Sequence, residues 1–593
     1  MRLELPSLGA VLDVALATAK RFPLTLAAAF LAATSAILTF EDIGPDALHD
    51  RLLAAATLGL PLLTALTLFG ERFAQRLGVR ALVWLVGIAA LASVYLAWPG
   101  WSDELRFARY AQLTVAFHLS AAFLPFVGRD RPNAFWQYNR TLFVRALAAG
   151  ASSATLWAGL ALALAAVHTL FSVDVPEQGY FRLWAVMAFV VTTWFFLGGV
   201  PRDLEALEEQ RDYPAALRVF AQYTLVPLVA VYLVILTLYL GKVVVTWDWP
   251  SGWIGWLVSG VATAGVLALL LVHPIAGQPD QKWVRTFARD FWVAMLPAVV
   301  MLWLALYQRI HQYGVTEPRY FLLALSVWLF AVAAYYALTR SGRIRAIPAS
   351  LCVVALLTFA GPWGAYAVSA RSQFGRLRGL LERDGVLVGG RLQRPANPVP
   401  TDDLGEISAA VRYLVRTHGV SRLAPLVGDS LVHRVGGGRG ETQVRIVVQA
   451  LGVEYVRSWG GEGRDSYFSF ASGVRGALPA AGYDVLLHVR APADTTAGAD
   501  ELIAVLVPAS RTVRLARGRE TLLVLPLDSM LARVRRLRAT ATSGADLPAT
   551  VMSVQAENAR VAAVLYVESV NGRFERTGMK IVGVRGVVLV RER

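Results

Sequence analysis

The stretch "FPLTLAAAFLAATSAILTF" (residues 22–40) decides the fold class of this chain. It carries no charged residue, and roughly 20 apolar residues in a helix cross the hydrocarbon core of a bilayer, which is about 30 Å thick. Lys20 and Arg21 precede it, as they would precede the apolar region of a signal peptide. The length of the run favours a retained membrane helix over a cleaved signal.

Ten further apolar stretches follow before residue 370. The chain has 593 residues, of which 56% are hydrophobic and 17% charged, and its mean hydropathy is +0.50. This composition points away from soluble proteins. The sequence therefore predicts a polytopic α-helical membrane protein with about eleven transmembrane helices in residues 1–370. The predicted spans are 22–40, 52–70, 81–98, 110–127, 146–171, 183–200, 219–241, 253–272, 291–308, 320–339 and 346–368.

The remaining residues, 371–593, contain no such run and are predicted to form a soluble α+β domain rich in antiparallel strands. Apolar residues at helical spacing predict helices over 401–419 and about 441–451, and the later short apolar runs alternate as strands do. The residues "VNGR" (570–573) are predicted to form a turn between two strands, and a helix is predicted near 527–538. The predicted segments are an amphipathic juxtamembrane helix with a linker (371–400), a helical part (401–463) and a β-rich part (464–593).

Lysine and arginine alternate between the two sides of the predicted spans. The N-terminal tail and every second connection hold 19 of these residues, whereas the intervening connections hold 7. Positive residues in short loops stay on the cytoplasmic side. The N-terminus is therefore predicted in the cytoplasm, and eleven spans place the C-terminal domain outside. We expect a bacterial inner (plasma) membrane protein whose C-terminal domain is periplasmic or extracellular.

The net charge of +15 does not indicate a nucleic-acid-binding protein. Residues 1–370 contribute +5 and residues 371–593 contribute +10, without a long basic run. Cys352 is the only cysteine, so neither a disulfide nor a cysteine-based metal site forms within one chain. We predict no cofactor, no metal and no nucleic-acid partner.

Several phrases resemble a bacterial membrane-protein family known only as domain of unknown function 4153. They are "FWQYNRTLFVRAL" (135–147), "RIHQYGVTEPRYF" (309–321), "SARSQFGRLRGLLERDGVL" (369–387) and, more weakly, "GYDVLLHV" (482–489). The "YGVTEPRY" phrase is the most specific of them. The resemblance implies many helices followed by a soluble tail, and it brings no activity, substrate or catalytic residue with it.

The second phrase is part of "YQRIHQYGVTEPRYF" (307–321), a polar segment between two apolar runs. A tight outer turn explains most of it, because its glycine gives backbone freedom and its threonine, glutamate and proline suit the start of the next helix. The turn does not explain the basic residues. Arg309, His311, Glu317 and Arg319 are therefore candidate binding residues for an anionic headgroup or substrate, and solvated interface charges are the alternative.

Within the predicted spans, ionisable side chains are rare. His118 lies near the middle of the fourth span and is a candidate relay or ligand, although a hydrogen bond to a neighbouring helix also explains it. Pro61, Pro227 and Pro297 each free a backbone carbonyl inside a span. Such breaks build a transport site where they line a cavity, and otherwise they are ordinary kinks.

Two acidic residues, Glu41 and Asp42, follow the first span on the predicted outer side. This position resembles that of the external acid in integral-membrane glycosyltransferases, where a carboxylate acts as base or metal ligand for a lipid-linked donor. The loop here, "FEDIGPDALHD" (40–50), is shorter than in those enzymes. A negatively charged outer loop is the alternative interpretation.

The sequence contains no clear catalytic constellation, and it favours a non-catalytic cell-envelope protein that presents an extracytoplasmic binding domain. Membrane lipids and a protein partner of the external domain are the expected partners. Two other functions stay open: a solute or lipid transporter or flippase, and a lipid-linked glycosyltransferase-like enzyme.

Overall fold

The computed structural model divides the chain into two compact units. The first contains Met1–Leu377 and Tyr413–Gly437, and the second contains Arg378–Arg412 and Gly438–Arg593. The chain thus leaves the first unit, returns to it for one short segment and leaves it again. The structure describes residues 8–73, 76–246, 254–339, 343–435, 440–456, 466–472, 480–490, 501–508, 510–518, 520–538, 547–575 and 578–593.

Long apolar helices build the first unit. Among the described residues, nine helical segments are long and apolar enough to cross a membrane. They confirm the predicted polytopic membrane protein. The helices up to residue 383 are α1 (Leu8–Arg21), α2 (Pro23–Phe40), α3 (Asp46–Glu71), α4 (Leu77–Ala97), α5 (Asp103–Phe123), α6 (Pro132–Phe171), α7 (Glu177–Ala185), α8 (Thr192–Gly198), α9 (Ala215–Val219), α10 (Val226–Thr246), α11 (Ile254–Val272), α12 (Lys282–Tyr313), α13 (Glu317–Thr339), α14 (Ala346–Phe359) and α15 (Ala365–Arg383).

Two of the eleven predicted spans fall on helices outside this set of nine. The predicted span 110–127 lies on α5, whose first two turns carry acidic and basic residues. The predicted span 346–368 is interrupted, because α14 has 14 residues and ends before Gly361, which has a φ of 85°. Glycine adopts this left-handed conformation without strain. The next helix, α15, starts at Ala365, which is four residues before the family-like phrase 369–387 begins.

Packing between helices holds the first unit together. One cluster of buried side chains includes residues of α10, α11, α12 and α13. Within it, the rings of Trp292 and Tyr336 stack with their centroids 5.1 Å apart. Close helix packing of this kind drives association inside a membrane, where lipid chains are as apolar as the helix surfaces. The first family-like phrase ties α6 to two other helices, since Trp136 donates to the carbonyl of Leu270 (2.8 Å) and Tyr138 to that of Ala121 (3.0 Å).

In the part of the chain that the structure describes, three π turns interrupt the helices. Val186–Val191 joins α7 to α8, and Phe220–Leu225 joins α9 to α10. The third, Leu414–His418, follows α16 (Thr401–Tyr413) and ends at Gly419, whose φ is 85°. A π turn inserts one residue into the helix and rotates the side chains that follow it, and such turns are frequent at functional sites. The later helices are α17 (Ala424–Val427), α18 (Asp429–Val435), α19 (Glu441–Ala450) and α20 (Asp528–Arg538).

Strands dominate the second unit. Its described residues form an eight-stranded sheet of order β3-β9-β10-β4-β5-β6-β7, with β8 paired to β9. All pairs are antiparallel except β4 with β5. This sheet confirms the predicted α+β tail. The strands are β1 (Leu387–Val388), β2 (Arg391–Leu392), β3 (Ser466–Ala471), β4 (Val485–Arg490), β5 (Leu502–Val507), β6 (Thr512–Arg517), β7 (Glu520–Pro526), β8 (Ser553–Glu557), β9 (Val561–Glu575) and β10 (Gly578–Glu592).

The predicted turn at residues 570–573 is wrong. These residues lie inside β9, which pairs with β10 from one end to the other. Asn571 stands opposite Gly583 at an irregularity in the register, and a Cβ atom at Gly583 would lie 2.7 Å from the Asn571 Oδ1 atom. The partner glycine leaves room for the asparagine side chain, so the strand continues through a sequence that usually turns.

The sheet curls around its own core. β7 approaches β8, and Asn558 donates a 2.7 Å hydrogen bond to the carbonyl of Leu522 across this gap. Alternate side chains of the strands, including Leu515 and Val588, are buried together with Met530 and Val534 of α20. The curled sheet thereby encloses a packed interior.

Close packing of α11 on α12 yields the first prediction. A Cβ atom at Gly265 would lie 2.1 Å from the ring of Phe291, whereas Gly260 on the same helix has open space around it. We expect Gly265→Ala to lower the free energy of unfolding by about 1–3 kcal/mol through overpacking. Thermal unfolding of the purified protein measures this effect, and Gly260→Ala is the matched control that should unfold like the wild type. Equal melting temperatures for both variants would contradict this packing.

Candidate functional site

The turn between α12 and α13 is held by polar side chains of α15. The Ser372 hydroxyl accepts a hydrogen bond from the Val315 N–H (2.9 Å), and the Gln373 amide donates to the carbonyls of Tyr313 (2.8 Å) and Val315 (3.1 Å). Gly314 has a φ of 71°, and a Cβ atom there would lie 2.8 Å from the Gln373 Nε2 atom. Glycine is needed for both reasons. Two of the family-like phrases thus meet in space.

Glu317 begins α13 beside this turn, and its side chain is buried. The Tyr413 hydroxyl donates a short hydrogen bond to the Glu317 Oε2 atom. The His418 Nε2 atom lies 3.1 Å from Oε1, and the two side chains are 4% and 8% exposed. Oε1 accepts no hydrogen bond from the described residues, so its contact with the imidazole is electrostatic and not a linear hydrogen bond. We call Glu317, Tyr413 and His418 the Glu–Tyr–His cluster.

The π turn after α16 brings the two aromatic members of this cluster together. Tyr413 and His418 are five residues apart, and their ring centroids lie 5.4 Å from each other. The Ser102 hydroxyl, just before α5, donates to the carbonyl of Thr417 and attaches the same turn at a second point. The segment that begins at Tyr413 therefore contacts the helical part of the first unit through Tyr413, His418 and the backbone carbonyl of Thr417.

Tyr413 is kept protonated by its surroundings. Burial raises the pKa of its hydroxyl well above the ordinary value, and the neighbouring Glu317 carboxylate raises that pKa further, because a phenolate there would face a like charge. A protonated hydroxyl donates a hydrogen bond to the carboxylate at all physiological pH values. The cluster thus contains a permanent donor for Glu317.

Two arginines lie near the α12–α13 turn and Glu317. Arg319 is buried, donates to the carbonyl of Gly314 (2.8 Å) and lies 5.5 Å from the Tyr313 ring centroid. Arg109 lies 4.4 Å from the ring centroid of Tyr366 and is close enough to interact with the charge of Glu317. A buried carboxylate needs such positive neighbours, because its transfer from water is otherwise costly.

The four candidate binding residues of the α12–α13 segment are separated by the fold. Glu317 and Arg319 point inward, into or beside the Glu–Tyr–His cluster. Arg309 and His311 belong to the last turns of α12, where His311 is exposed and its ring lies 6.2 Å from that of Tyr307. The structure thus assigns the two halves of the phrase to different surroundings.

The carboxylates Glu41 and Asp42, which were predicted on the outer side, also have different surroundings. Glu41 forms an ion pair with Arg182 of α7, whereas Asp42 is exposed and has a φ of 55°. The side-chain hydrogen bond from Arg182 holds the pKa of Glu41 below its ordinary value. Among the described residues, no three histidine, cysteine or acidic side chains are grouped as metal ligands. Glu41 therefore joins the end of α2 to α7.

His118 lies beside a cavity of about 390 Å³ inside the first unit. Its Nδ1 atom is 2.8 Å from the carbonyl of Thr114, one turn earlier in α5. Pro61 lines the same cavity, together with threonines of α2, α3 and α8. One of the predicted proline breaks therefore borders a cavity that also contains the predicted intramembrane histidine.

Sequence reasoning missed Tyr413, His418, Ser372 and Gln373. The last two belong to a family-like phrase, which was a signal that this helix does more than leave the membrane. No signal in a single sequence pairs Glu317 with residues about 100 positions later, because burial and proximity arise only in the folded chain.

A body of apolar helices followed by a strand-rich unit defines a multi-pass membrane protein. The chain belongs to the family described as domain of unknown function (DUF4153), whose model matches residues 26–396. An uncharacterised protein of Pasteurella multocida (strain Pm70) is 24% identical to it over 238 residues. That alignment covers 38% of this chain and 38% of the relative's length. No solved structure matches the chain.

The ion pair of Glu41 predicts a pH-dependent stability. A carboxyl group whose pKa is lowered by folding stabilises the fold above its unfolded pKa of about 4.3, and this contribution is lost as the pH falls through the folded value. We expect Glu41→Gln to melt at a slightly lower temperature than the wild type at pH 7, because surface ion pairs are weak. The difference should be smaller at pH 3 than at pH 7, because the contribution is lost as the pH falls from the unfolded value through the lowered folded value.

Thermal unfolding at both pH values measures this difference, with Asp42→Asn as the matched control. Asparagine tolerates the left-handed backbone at this position, so the control should melt like the wild type at pH 7. A Glu41→Gln protein that melts normally at pH 7 but loses its cellular function would instead assign the carboxylate a chemical role.

Proposed function

We propose that this chain is a non-catalytic cell-envelope protein of the bacterial inner membrane. Its helical body anchors the strand-rich unit, which serves as an extracytoplasmic binding domain for a protein partner. The Glu–Tyr–His cluster holds the segment 413–437 to the body. Residues on both sides of that segment, 378–412 and 438–593, belong to the other unit, so the cluster fixes the place where the chain re-enters the first unit.

The burial of the Glu–Tyr–His cluster is the observation that carries this proposal. A general base must reach the proton that it removes, directly or through one water molecule. Glu317 and His418 are almost fully covered by protein, and Tyr413 uses its hydroxyl on Glu317. The most specific phrase of the sequence therefore supports a structural joint better than an active site.

Membrane lipids are the second proposed partner. A cavity of about 960 Å³ between α13 and α14 is lined almost entirely by apolar and aromatic side chains. Leu323, Val327 and Val353 are among the exposed residues along it. A lipid acyl chain fits this lining, because exposed apolar surface on a membrane helix faces lipid rather than water.

Amide hydrogen exchange of the full chain tests the joint. We expect Glu317→Ala and Tyr413→Phe to increase exchange in residues 413–427, because each variant leaves a buried polar group without its partner, at a cost of about 1–3 kcal/mol. Exchange in α2 and α3, which are remote in sequence, should stay unchanged.

Arg309→Ala is the matched control, since it changes a charge in the same phrase outside the cluster. It should exchange like the wild type in residues 413–427. Unchanged exchange in Glu317→Ala, combined with a loss of cellular function, would refute the joint and point to a chemical role of the carboxyl group.

The proposed orientation rests on the distribution of lysine and arginine and has its own test. A phosphatase that is active only outside the cytoplasm, fused after Arg593, should be active. A fusion after Arg72, in a predicted cytoplasmic connection, is the matched control and should be inactive. An expressed but inactive C-terminal fusion would refute the orientation.

A further inference from the structure

The cavity beside His118 has an unusual hydrogen-bonding surface. It is lined by residues of α2, α3, α5, α6 and α8, it holds about 390 Å³, and it is open on the side where Phe143 is exposed. Thr64 lies seven residues before the end of α3, which places the cavity about 10 Å from that helix end at 1.5 Å per residue. A polar surface at this depth in a membrane helix bundle is a binding-site hypothesis by default.

The hydrogen-bond donors of His118 and Asn139 are already used. The His118 Nδ1 atom faces the Thr114 carbonyl at 2.8 Å, and because a carbonyl only accepts, Nδ1 carries the proton. In this tautomer Nε2 is a hydrogen-bond acceptor. The Asn139 amide nitrogen faces the carbonyls of Phe135 (2.8 Å) and Ala122 (3.2 Å), which leaves Oδ1 as the free group.

The same holds for two hydroxyl groups on the wall. Thr64 donates its proton to the carbonyl of Leu60 at 2.7 Å, and Thr192 donates to that of Met187 at 2.9 Å. Each oxygen keeps lone pairs and can therefore accept a hydrogen bond, and the Thr64 oxygen also lies 3.5 Å from the hydroxyl oxygen of Thr25. The π turn before α8 makes the second of these bonds possible. Its wider helical turn brings the carbonyl of Met187, five residues earlier in the chain, to the Thr192 hydroxyl.

We propose that this cavity binds a small amphiphile through its hydroxyl or ammonium group. Four side chains on the wall offer acceptors, namely His118, Asn139, Thr64 and Thr192, and a ligand that donates hydrogen bonds satisfies them. Thr25 and Thr193 add two further hydroxyl groups to the lining, and Phe143 and the other apolar side chains suit a hydrocarbon part. The lining includes no lysine or arginine, so a carboxylate or phosphate finds no counter-charge there.

Photolabelling of the full chain in phosphatidylcholine vesicles tests this site. The probe is octan-1-ol with a diazirine on its chain, and the methyl ether of the same probe is the ligand control, because it accepts but cannot donate. We expect saturable labelling of residues 118–146 by the alcohol, mapped by mass spectrometry, and at least fivefold less by the ether. Loss of one hydrogen bond has an effect of this size.

Variants supply a second test. His118→Leu and Thr64→Val each remove one acceptor while keeping most of the volume, and each should reduce saturable labelling about fivefold. The matched controls are His168→Leu and Thr155→Val on α6, whose side chains make the same kind of bond to backbone carbonyls away from the cavity. Both controls should label like the wild type.

The proposal is overturned if the ether labels these residues as well as the alcohol does, or if the two cavity variants label normally. The ether result needs no variant, so it stands even where a variant does not fold. Repeating the experiment with phosphatidylethanolamine in the vesicles identifies the source of the ligand. Competition by this lipid assigns the site to an ammonium headgroup, and unchanged labelling assigns it to a free small molecule.

Discussion

Burial of the Glu317 carboxyl group constrains the structure around the α12–α13 turn. A carboxylate removed from water loses more free energy than a single hydrogen bond restores, so it must be surrounded by donors and positive charges. Tyr413 and His418 approach it from a part of the chain about 100 residues later, and Arg109 adds a favourable charge from α5. The free-energy cost of burying this one carboxylate therefore constrains how three segments that are distant in the sequence pack together.

The polar groups of the first unit follow two different rules. In the Glu–Tyr–His cluster, the Tyr413 hydroxyl donates to Glu317, whereas the Glu317 Oε1 atom accepts no hydrogen bond from the described residues. Beside His118, the donors are spent on backbone carbonyls of the same or a neighbouring helix, and the acceptors face an open space. A side-chain hydrogen bond to a backbone carbonyl costs a membrane helix little free energy. The helix remains intact, and the polar side chain gains a hydrogen-bond partner. The first arrangement holds two segments of the chain together, and the second leaves hydrogen-bond acceptors available to a ligand in the cavity.

The sequence was sufficient to predict the class and the order of the fold, because a membrane selects for length and composition of apolar runs. It also located the turn at Gly314 and the change from helix to strand in the tail. The sequence was misleading at residues 570–573. Asparagine followed by glycine usually indicates a turn, but here the two residues belong to β9 and pair with β10 at an irregularity in the register. It also extended the span after residue 346 too far, because apolar residues around Gly361 hide a break in the helix. Such outcomes depend on the partner strand or the backbone angle, which composition does not contain.

The candidate sites were predictable only in part, for a physical reason. Glu317 and His118 stand out because charged or titratable groups are rare in apolar surroundings, and rarity is visible in a single sequence. Their partners are ordinary polar residues, such as Tyr413 and Thr64, which acquire importance only from position. The π turn after α16 illustrates this dependence. It brings together the rings of Tyr413 and His418, which are five residues apart in the chain, so that both side chains contact Glu317. Opening this contact exposes three polar side chains and the turn at once, which couples the segment 413–437 to the start of α13.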